Sequence, residues 1–155
     1  MGLKGVPAII GPDLLRVLST MGHGDEIVFS DIHFPTSSIC RRTGSIELRV
    51  EGISITDLLP AVLKFFPLDT YIDAATILMR TEPQDRAAGL IKPPIWEEYE
   101  KILGSSGEIN VNTSEISRTD FYERAGKAFA IVHTGETAKY GNVILRKGIV
   151  TYEEK

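Results

Sequence analysis

The apolar residues of this chain recur at two spacings, one near 3.6 residues and one of two, and the two alternate along its length. Leu14, Leu15, Val17, Leu18 and Met21 form a helical stripe that opens at Pro12, with Asp13 at the positive helix end and Gly22 as a stop. The run Glu26 to Asp31 is short, β-prone and mostly apolar, which predicts a central strand ended by Phe34, Pro35 and the small polar residues after them. Ser45 to Val50 alternates polar and apolar residues like a half-buried strand and is closed by Gly52. From Ser54 to Phe66, Leu58, Leu59, Val62, Leu63 and Phe66 define a buried helical face, with Thr56 as the expected N-cap and Pro60 early enough to be tolerated. Ala75 to Arg80 reads as another strand, and Thr81 to Lys92 as a polar surface loop. Prolines at the entry, a Trp96, Tyr99, Ile102 and Leu103 stripe, and glycines at the exit predict a helix over Pro93 to Gly107. Glu108 to Asn112 is expected as a short strand and Thr119 to Val132 as a helix, in which Asp120 and Glu123 have capping-box spacing. Asn142 to Val150 completes the series as a strand.

Helices and strands of these lengths in alternation predict an α/β layered fold with helices against a sheet. The chain has 155 residues, 43% of them hydrophobic, enough for a single domain over 1–155 with no linker or repeat. A net charge of −4 supplies no basic field, so neither nucleic acid nor an anionic membrane is expected as a partner. No segment approaches the ~20 apolar residues of a membrane span, and the first residues lack a signal-peptide core. Cys40 is the only cysteine, which excludes an intrachain disulfide and predicts a buried, unreactive thiol. A soluble, cytoplasmic protein is the expectation.

Titratable groups crowd one stretch, Met21 to Pro35, around the apolar Ile27, Val28 and Phe29. His23 stands between two glycines, which permit close backbone approach to a ligand; a surface histidine after a helix is the alternative. Asp25 and Glu26 read as solvated turn charges. Asp31 ends a buried strand, so it must be exposed at the sheet end or paired, and strand ends are where α/β folds keep ligands. At ~3.3 Å per residue, His23 and Asp31 would lie roughly 25 Å apart along an extended strand, too far to share one site within a subunit. Metal is not expected: the histidines are His23, His33 and His133, with no HExxH or paired-cysteine motif to gather three ligands. Elsewhere, Tyr122 is either a core aromatic or a site residue, and Arg118 a ligand contact or a solvated cation. Tyr140 and Asn142 pair a phenol with a carboxamide, good partners for sugar hydroxyls or simply a turn. Asp69 reads locally as a cap or turn residue. Walker, GxGxxG and GxSxG motifs are absent.

The segments LKGVPAIIGPDLLRVLSTMGHGDEIVFSDIHFP, PLDTY, FYERAGKAFAIVHTGETAKYGN and ILRKGIV closely resemble the sugar-mutarotase family that holds the L-fucose mutarotases and, more distantly, the D-ribose pyranases. The likeness runs from Leu3 to Val150 and is nearest to the animal branch. It implies a single-domain layered fold with helices on a mixed β-sheet, ribose pyranase-like, and cofactor-free acid/base interconversion of the α and β anomers of L-fucose. It also implies a proton-donating His23, a catalytic, substrate-contacting Tyr122, and sugar contacts from Asp31, Asp69, Arg118, Tyr140 and Asn142. The family's sites lie near subunit contacts in ring-like homo-oligomers, up to a decamer, where residues distant on one chain meet. His33 stays outside this set, and the Cys40–Gly44 segment is expected as a loop longer than in relatives. The alternatives are a monosaccharide-binding module without turnover and a metal-dependent hydrolase using His23, Asp31 and His33.

Overall fold

The computed structural model describes residues 2–153; Met1, Glu154 and Lys155 lie outside it. In chain order the elements are α1 (Pro12–Thr20), β1 (Glu26–Ser30), α2 (Thr36–Thr43), β2 (Ile46–Val50), α3 (Ile55–Val62) and β3 (Thr76–Met79), then α4 (Pro83–Ala87), α5 (Pro94–Ser105), β4 (Thr113–Ile116), α6 (Arg118–Gly126), β5 (Ala130–Thr134) and β6 (Val143–Arg146). The strands form one mixed sheet in the order β2, β5, β1, β6, β3, β4, with β6 antiparallel to both neighbours and every other pair parallel. Central strands covered on both faces are apolar at successive positions rather than alternate ones. Ile27, Phe29, Val132 and Leu145 face α1, α3 and α5, where they meet Leu14, Leu58, Leu59, Tyr99 and Leu103. Val28, Ile77, Ile131 and Ile144 face the opposite way, onto Ile39 of α2 and Phe121 and Ala125 of α6. The predicted mixed layered fold is therefore the observed one.

Several local expectations are corrected. Cys40–Gly44 is no loop: residues through Thr43 belong to α2, closed by Gly44 in the left-handed region at φ 82°. The helix has few apolar residues and is tied down by polar contacts, since the Thr36 hydroxyl meets Nδ1 of His133 at 2.8 Å and Oγ of Ser30 at 2.9 Å. Burial, then the Arg49 charge, pulls the His133 imidazole below its ordinary range, which suits a neutral acceptor there. Ala130–Thr134 is strand β5, not the end of a helix, because a short run buried on both faces has the same apolar pattern in either conformation. Glu108 to Asn112 is irregular and the strand begins at Thr113, where register with Thr76 of β3 is available. The caps also differ: Ser54, not Thr56, accepts the Asp57 N–H at the start of α3, and Ser117 accepts the Asp120 N–H at the start of α6. The Thr81 to Lys92 stretch contains the short helix α4, opened by Pro83. Cys40 is buried as expected, and burial, then Glu47, pushes its thiol up.

Candidate active site

The predicted site residues fall at the two ends of β1. At its start, His23 stands in a turn between Gly22 and Gly24, the latter at φ 85°, a conformation that favours glycine. The imidazole reaches the buried Asp69, Nε2 to Oδ1 at 3.1 Å, and tilts against the Tyr71 ring at 5.4 Å. Asp69 is 1% exposed, and both its oxygens already accept hydrogen bonds: Oδ1 from the Tyr71 N–H as well as His23, and Oδ2 from Arg146 Nε at 3.0 Å. Burial acts to raise this carboxyl, yet the Tyr71 N–H, His23 and Arg146 outweigh it and hold the group below the usual carboxylate range. Asn110 braces the segment from behind by donating to the carbonyls of Asp69 and Ile72. The His23 side chain remains 44% exposed, with one edge fixed and the other open to solvent.

At the far end of β1 lies a polar cavity of about 300 Å³ lined by Asp31, Arg118, Tyr122, Tyr140 and Asn142, five of the predicted site residues. Asp31 leaves β1 where the strand emerges from the sheet. Its N–H donates to Asn142 Oδ1 at 2.7 Å, and its own Oδ1 accepts the His33 N–H at 2.9 Å, so the carboxylate is aimed by its own loop and by the entry to β6. Burial raises the Asp31 carboxyl above its ordinary value, while the His33 N–H and the nearby imidazoles partly offset this. Tyr122 projects from α6 and packs edge-on to Phe34 at 5.2 Å, with the Arg118 guanidinium over its ring at 5.4 Å. Arg118 also pairs loosely with Glu82 at 3.5 Å.

Tyr140 carries the only positive φ, 60°, found at a non-glycine residue among those described, a conformation that costs of order 1 kcal/mol for a bulky side chain. Four contacts hold it there. Trp96 Nε1 donates to the Tyr140 carbonyl at 3.0 Å and the Tyr99 hydroxyl to the Gly141 carbonyl at 2.6 Å, both from α5. The Tyr140 hydroxyl in turn donates to Asp85 Oδ2 at 2.5 Å and accepts the Glu82 N–H at 2.9 Å. Burial, then the Asp85 contact, raises the Tyr140 phenol. Burial pushes the Tyr99 phenol far above its ordinary range, so it stays a donor. Gly141 at the next position lets the loop pack closely, since a Cβ there would lie 3.1 Å from both the Ala138 carbonyl oxygen and Glu136 Cγ.

Glu82, Asp85, Trp96, Tyr99 and Arg146 were not anticipated as supports of these sites. Only Pro83 followed by Asp85, a helix-start signal inside the presumed loop, pointed toward α4, and nothing local indicates that Asp85 meets a tyrosine 55 residues away. The structure does not bring His23 and Asp69 to the cavity. β1 alone spans about 13 Å between Glu26 and Ser30, and His23 lies beyond one end while Asp31 begins the other. This also disposes of a single-chain metal centre built from His23, Asp31 and His33; among the described residues no group of three or more His, Cys, Asp or Glu side chains is placed to hold an ion. A larger groove of about 370 Å³ between α3 and α5 is lined by Pro60, Leu63, Ile102 and two lysines and holds no acid-base pair. Among the described residues no helix is long and apolar enough to cross a membrane.

Chemically, the cavity offers the Asp31 carboxylate, a carboxamide, a guanidinium and two phenols around a volume suited to a monosaccharide, with Glu82, Asp85, Lys139 and the His33 imidazole also in its wall, while the His23 imidazole stands with Asp69 at the opposite end of β1. The chain is 53% identical to the fucose mutarotase of Homo sapiens over 150 residues, covering 97% of this chain and 96% of that protein. It is 50% identical to the fucose mutarotase of Danio rerio, covering 99% and 97%. Among solved structures, the fucose mutarotase of Streptococcus pneumoniae in complex with L-fucose superposes with a TM-score of 0.86 at 40% identity, covering 96% of this chain and all of the other. Bacillus subtilis RbsD complexed with D-ribose shares the fold at a TM-score of 0.68 and 20% identity. The profile of the RbsD / FucU transport protein family matches residues 4–150, and the chain belongs to that family.

Proposed function

We propose that this protein is an L-fucose mutarotase, an isomerase that interconverts the α and β anomers of L-fucose by acid/base ring opening and reclosure without a cofactor. The observation that carries this reading is the polar cavity of Asp31, Arg118, Tyr122, Tyr140 and Asn142, found in a chain whose backbone follows that of a mutarotase holding L-fucose. Opening a pyranose breaks the bond from the anomeric carbon to the ring oxygen. The anomeric hydroxyl gives up its proton as its oxygen becomes the aldehyde oxygen, and the ring oxygen gains one. Rotation about the next carbon–carbon bond and reversal of both transfers deliver the other anomer. An acid and a base suffice, each worth about 10²- to 10⁴-fold when positioned. Histidine titrates near neutrality and is suited to either role, and a phenol can complete the pair. We assign these roles to His23 and Tyr122. Asp69, buried behind His23, orients the imidazole, and Asp31, Arg118, Tyr140 and Asn142 hold the sugar hydroxyls. A site that reads hydroxyls by hydrogen bonds rejects sugars lacking them far more strongly than an apolar pocket does.

His23 and Tyr122 serve opposite ends of one chain, so the site is completed when the His23 end of one copy meets the cavity of another, in a ring-shaped homo-oligomer. Support comes from the surface around His23, where the Tyr71 ring packed against the imidazole is 72% exposed, an apolar face that a second copy would cover. The lone, buried Cys40 suits a reducing cytoplasm, where we place the reaction. The test is saturation-transfer NMR of L-fucose with catalytic amounts of assembled protein. Faster exchange between the anomeric protons is expected. Fucose binding with no acceleration would leave a binding module and overturn the enzymatic assignment.

A further inference from the structure

We propose that Asp85 is a positioning residue of the sugar site: its carboxylate, with the Glu82 N–H, locks the Tyr140 ring as a fixed wall of the cavity, so that Tyr140 binds substrate but transfers no proton. This rests on the mutarotase reading and adds to it a residue outside every predicted site. Tyr140 sits in the left-handed region at φ 60°, where a non-glycine residue persists only if its surroundings over-determine it. Trp96 and Tyr99 hold the carbonyls of Tyr140 and Gly141, but they leave the Tyr140 side chain free to turn. The side chain is held by α4. The Tyr140 hydroxyl gives its one proton to Asp85 Oδ2 at 2.5 Å and takes the Glu82 N–H at 2.9 Å. A phenol has one proton to give, so with that proton committed to a carboxylate the hydroxyl cannot serve a sugar as a donor. What remains for the sugar is the ring plane and one lone pair, and a pyranose presents a face of C–H groups that packs against such a plane.

The contact also explains why α4 is ordered where it is. None of its five residues is buried, so no apolar anchor fixes it against the sheet. Its ties to the cavity are polar: Asp85 to Tyr140, Asp85 Oδ2 to Lys139 Nζ at 3.7 Å, and Glu82 to Arg118 at 3.5 Å. The Asp85 side chain is one-third exposed and the Lys139 side chain mostly so, which makes the ammonium a weak partner and leaves the phenol as the principal one. Asp85 itself also reaches the cavity wall, but its carboxylate is committed to the phenol, and it is through the Tyr140 ring that it positions the substrate.

The test uses the full-length assembled protein and follows anomeric exchange by NMR as a function of L-fucose concentration, together with fucose affinity by calorimetric titration. Removing the acceptor in Asp85→Ala is expected to raise the half-saturating concentration and the dissociation constant by about tenfold, equivalent to ~1.4 kcal/mol, while maximal exchange changes less than about threefold. Tyr140→Phe, which deletes only the hydroxyl, should lose affinity to the same extent. Asp85→Asn keeps an oxygen to accept the phenol proton and should recover most of the affinity. The double variant Asp85→Ala with Tyr140→Phe should be no weaker than either single one, since both break the same bond. If the two losses add, or if Tyr140→Phe binds fucose like the wild type, the coupling does not exist and the proposal falls. A fall in maximal exchange at unchanged half-saturation would make the phenol a proton-transfer group and equally overturn it. Should Asp85→Ala fail to assemble, Asp85→Asn and Tyr140→Phe still decide the matter. Absence of exchange in the wild type would defeat the mutarotase reading instead, and the affinities would then report on the wall by themselves.

Discussion

If the site is shared between copies, two different inactive variants should repair one another. Take His23→Ala, which removes the imidazole from one end of β1, and Tyr122→Phe, which removes the phenol from the cavity at the other. In one chain these groups lie at opposite ends of β1, which itself spans ~13 Å, more than a monosaccharide can bridge, so an intrachain site is not expected to use both. At a junction between copies, the imidazole comes from one protomer and the phenol from its neighbour. When equal amounts of the two variants assemble at random, a junction is intact only if a Tyr122→Phe chain supplies the histidine and a His23→Ala chain supplies the tyrosine. Each condition is met half the time, so about a quarter of wild-type exchange should return whatever the number of subunits, because every junction in a symmetric closed assembly is equivalent. Each variant alone should be slower by about 10²- to 10⁴-fold, the range of one positioned acid or base. The assay is anomeric exchange by NMR on the whole co-expressed mixture, with two affinity tags used only to verify that hybrid assemblies have formed. The doubly substituted chain mixed with the wild type is the control, and at an equal ratio it too retains a quarter. Verified hybrids that exchange no faster than the single variants would refute the shared site and with it the assignment of His23 and Tyr122 to one reaction.

Other expectations follow from individual contacts. Asp31→Asn should abolish most exchange yet stabilise the fold by about 1 kcal/mol at neutral pH, as replacing a strained functional group often does. The sign follows from the raised Asp31 carboxyl: its contribution to stability is fully present below the unfolded-state pKa and is lost as pH rises through the folded one, so the gap over the wild type should open with rising pH and close in acid. Urea denaturation at several pH values measures it, and a gap that grows toward acid would contradict the burial argument. Gly148→Ala would place a Cβ 2.6 Å from the Leu68 carbonyl oxygen and 2.9 Å from the Asp69 Cα, both backbone atoms that cannot swing away. A loss of about 1–3 kcal/mol is expected from such overpacking, with exchange reduced further because Asp69 and His23 move with that segment; wild-type denaturation would refute it. Tyr99→Phe orphans the buried Gly141 carbonyl and should cost about 1–2 kcal/mol of stability while weakening fucose binding, read from denaturation and titration. Unchanged values in both would show that α5 does not hold the Tyr140 loop.

Elements whose own side chains decide their conformation were legible along the chain. The stripe of Leu14, Val17 and Leu18 and that of Trp96, Tyr99 and Leu103 became α1 and α5, because one helical face buries only residues three and four apart. α2 was not legible, since Thr36 to Thr43 offers Ile39 and Cys40 as its only apolar residues and is held by Thr36 against His133 of a strand almost a hundred positions away. β5 reads along the chain as the end of a helix because Ala130 to Val132 is apolar at every position, which a buried parallel strand and a buried helix share; only its place between β1 and β2 settles the conformation. For the site, local chemistry singled out His23 between glycines and Asp31 at the end of an apolar run, since both follow from what a short strand can bury. The remaining partners were reachable through a family likeness and not through spacing. Their geometry belongs to the tertiary structure alone. Asp31 meets Asn142, Tyr140 meets Asp85 and His23 meets Asp69 across separations of 111, 55 and 46 residues, each set by which strands lie side by side in the sheet. Sequence by itself determined which segments could bury a face and which groups could move a proton. Tertiary structure decided that those groups stand at opposite ends of one strand, because β1 is too stiff and extended to fold His23 back onto Asp31.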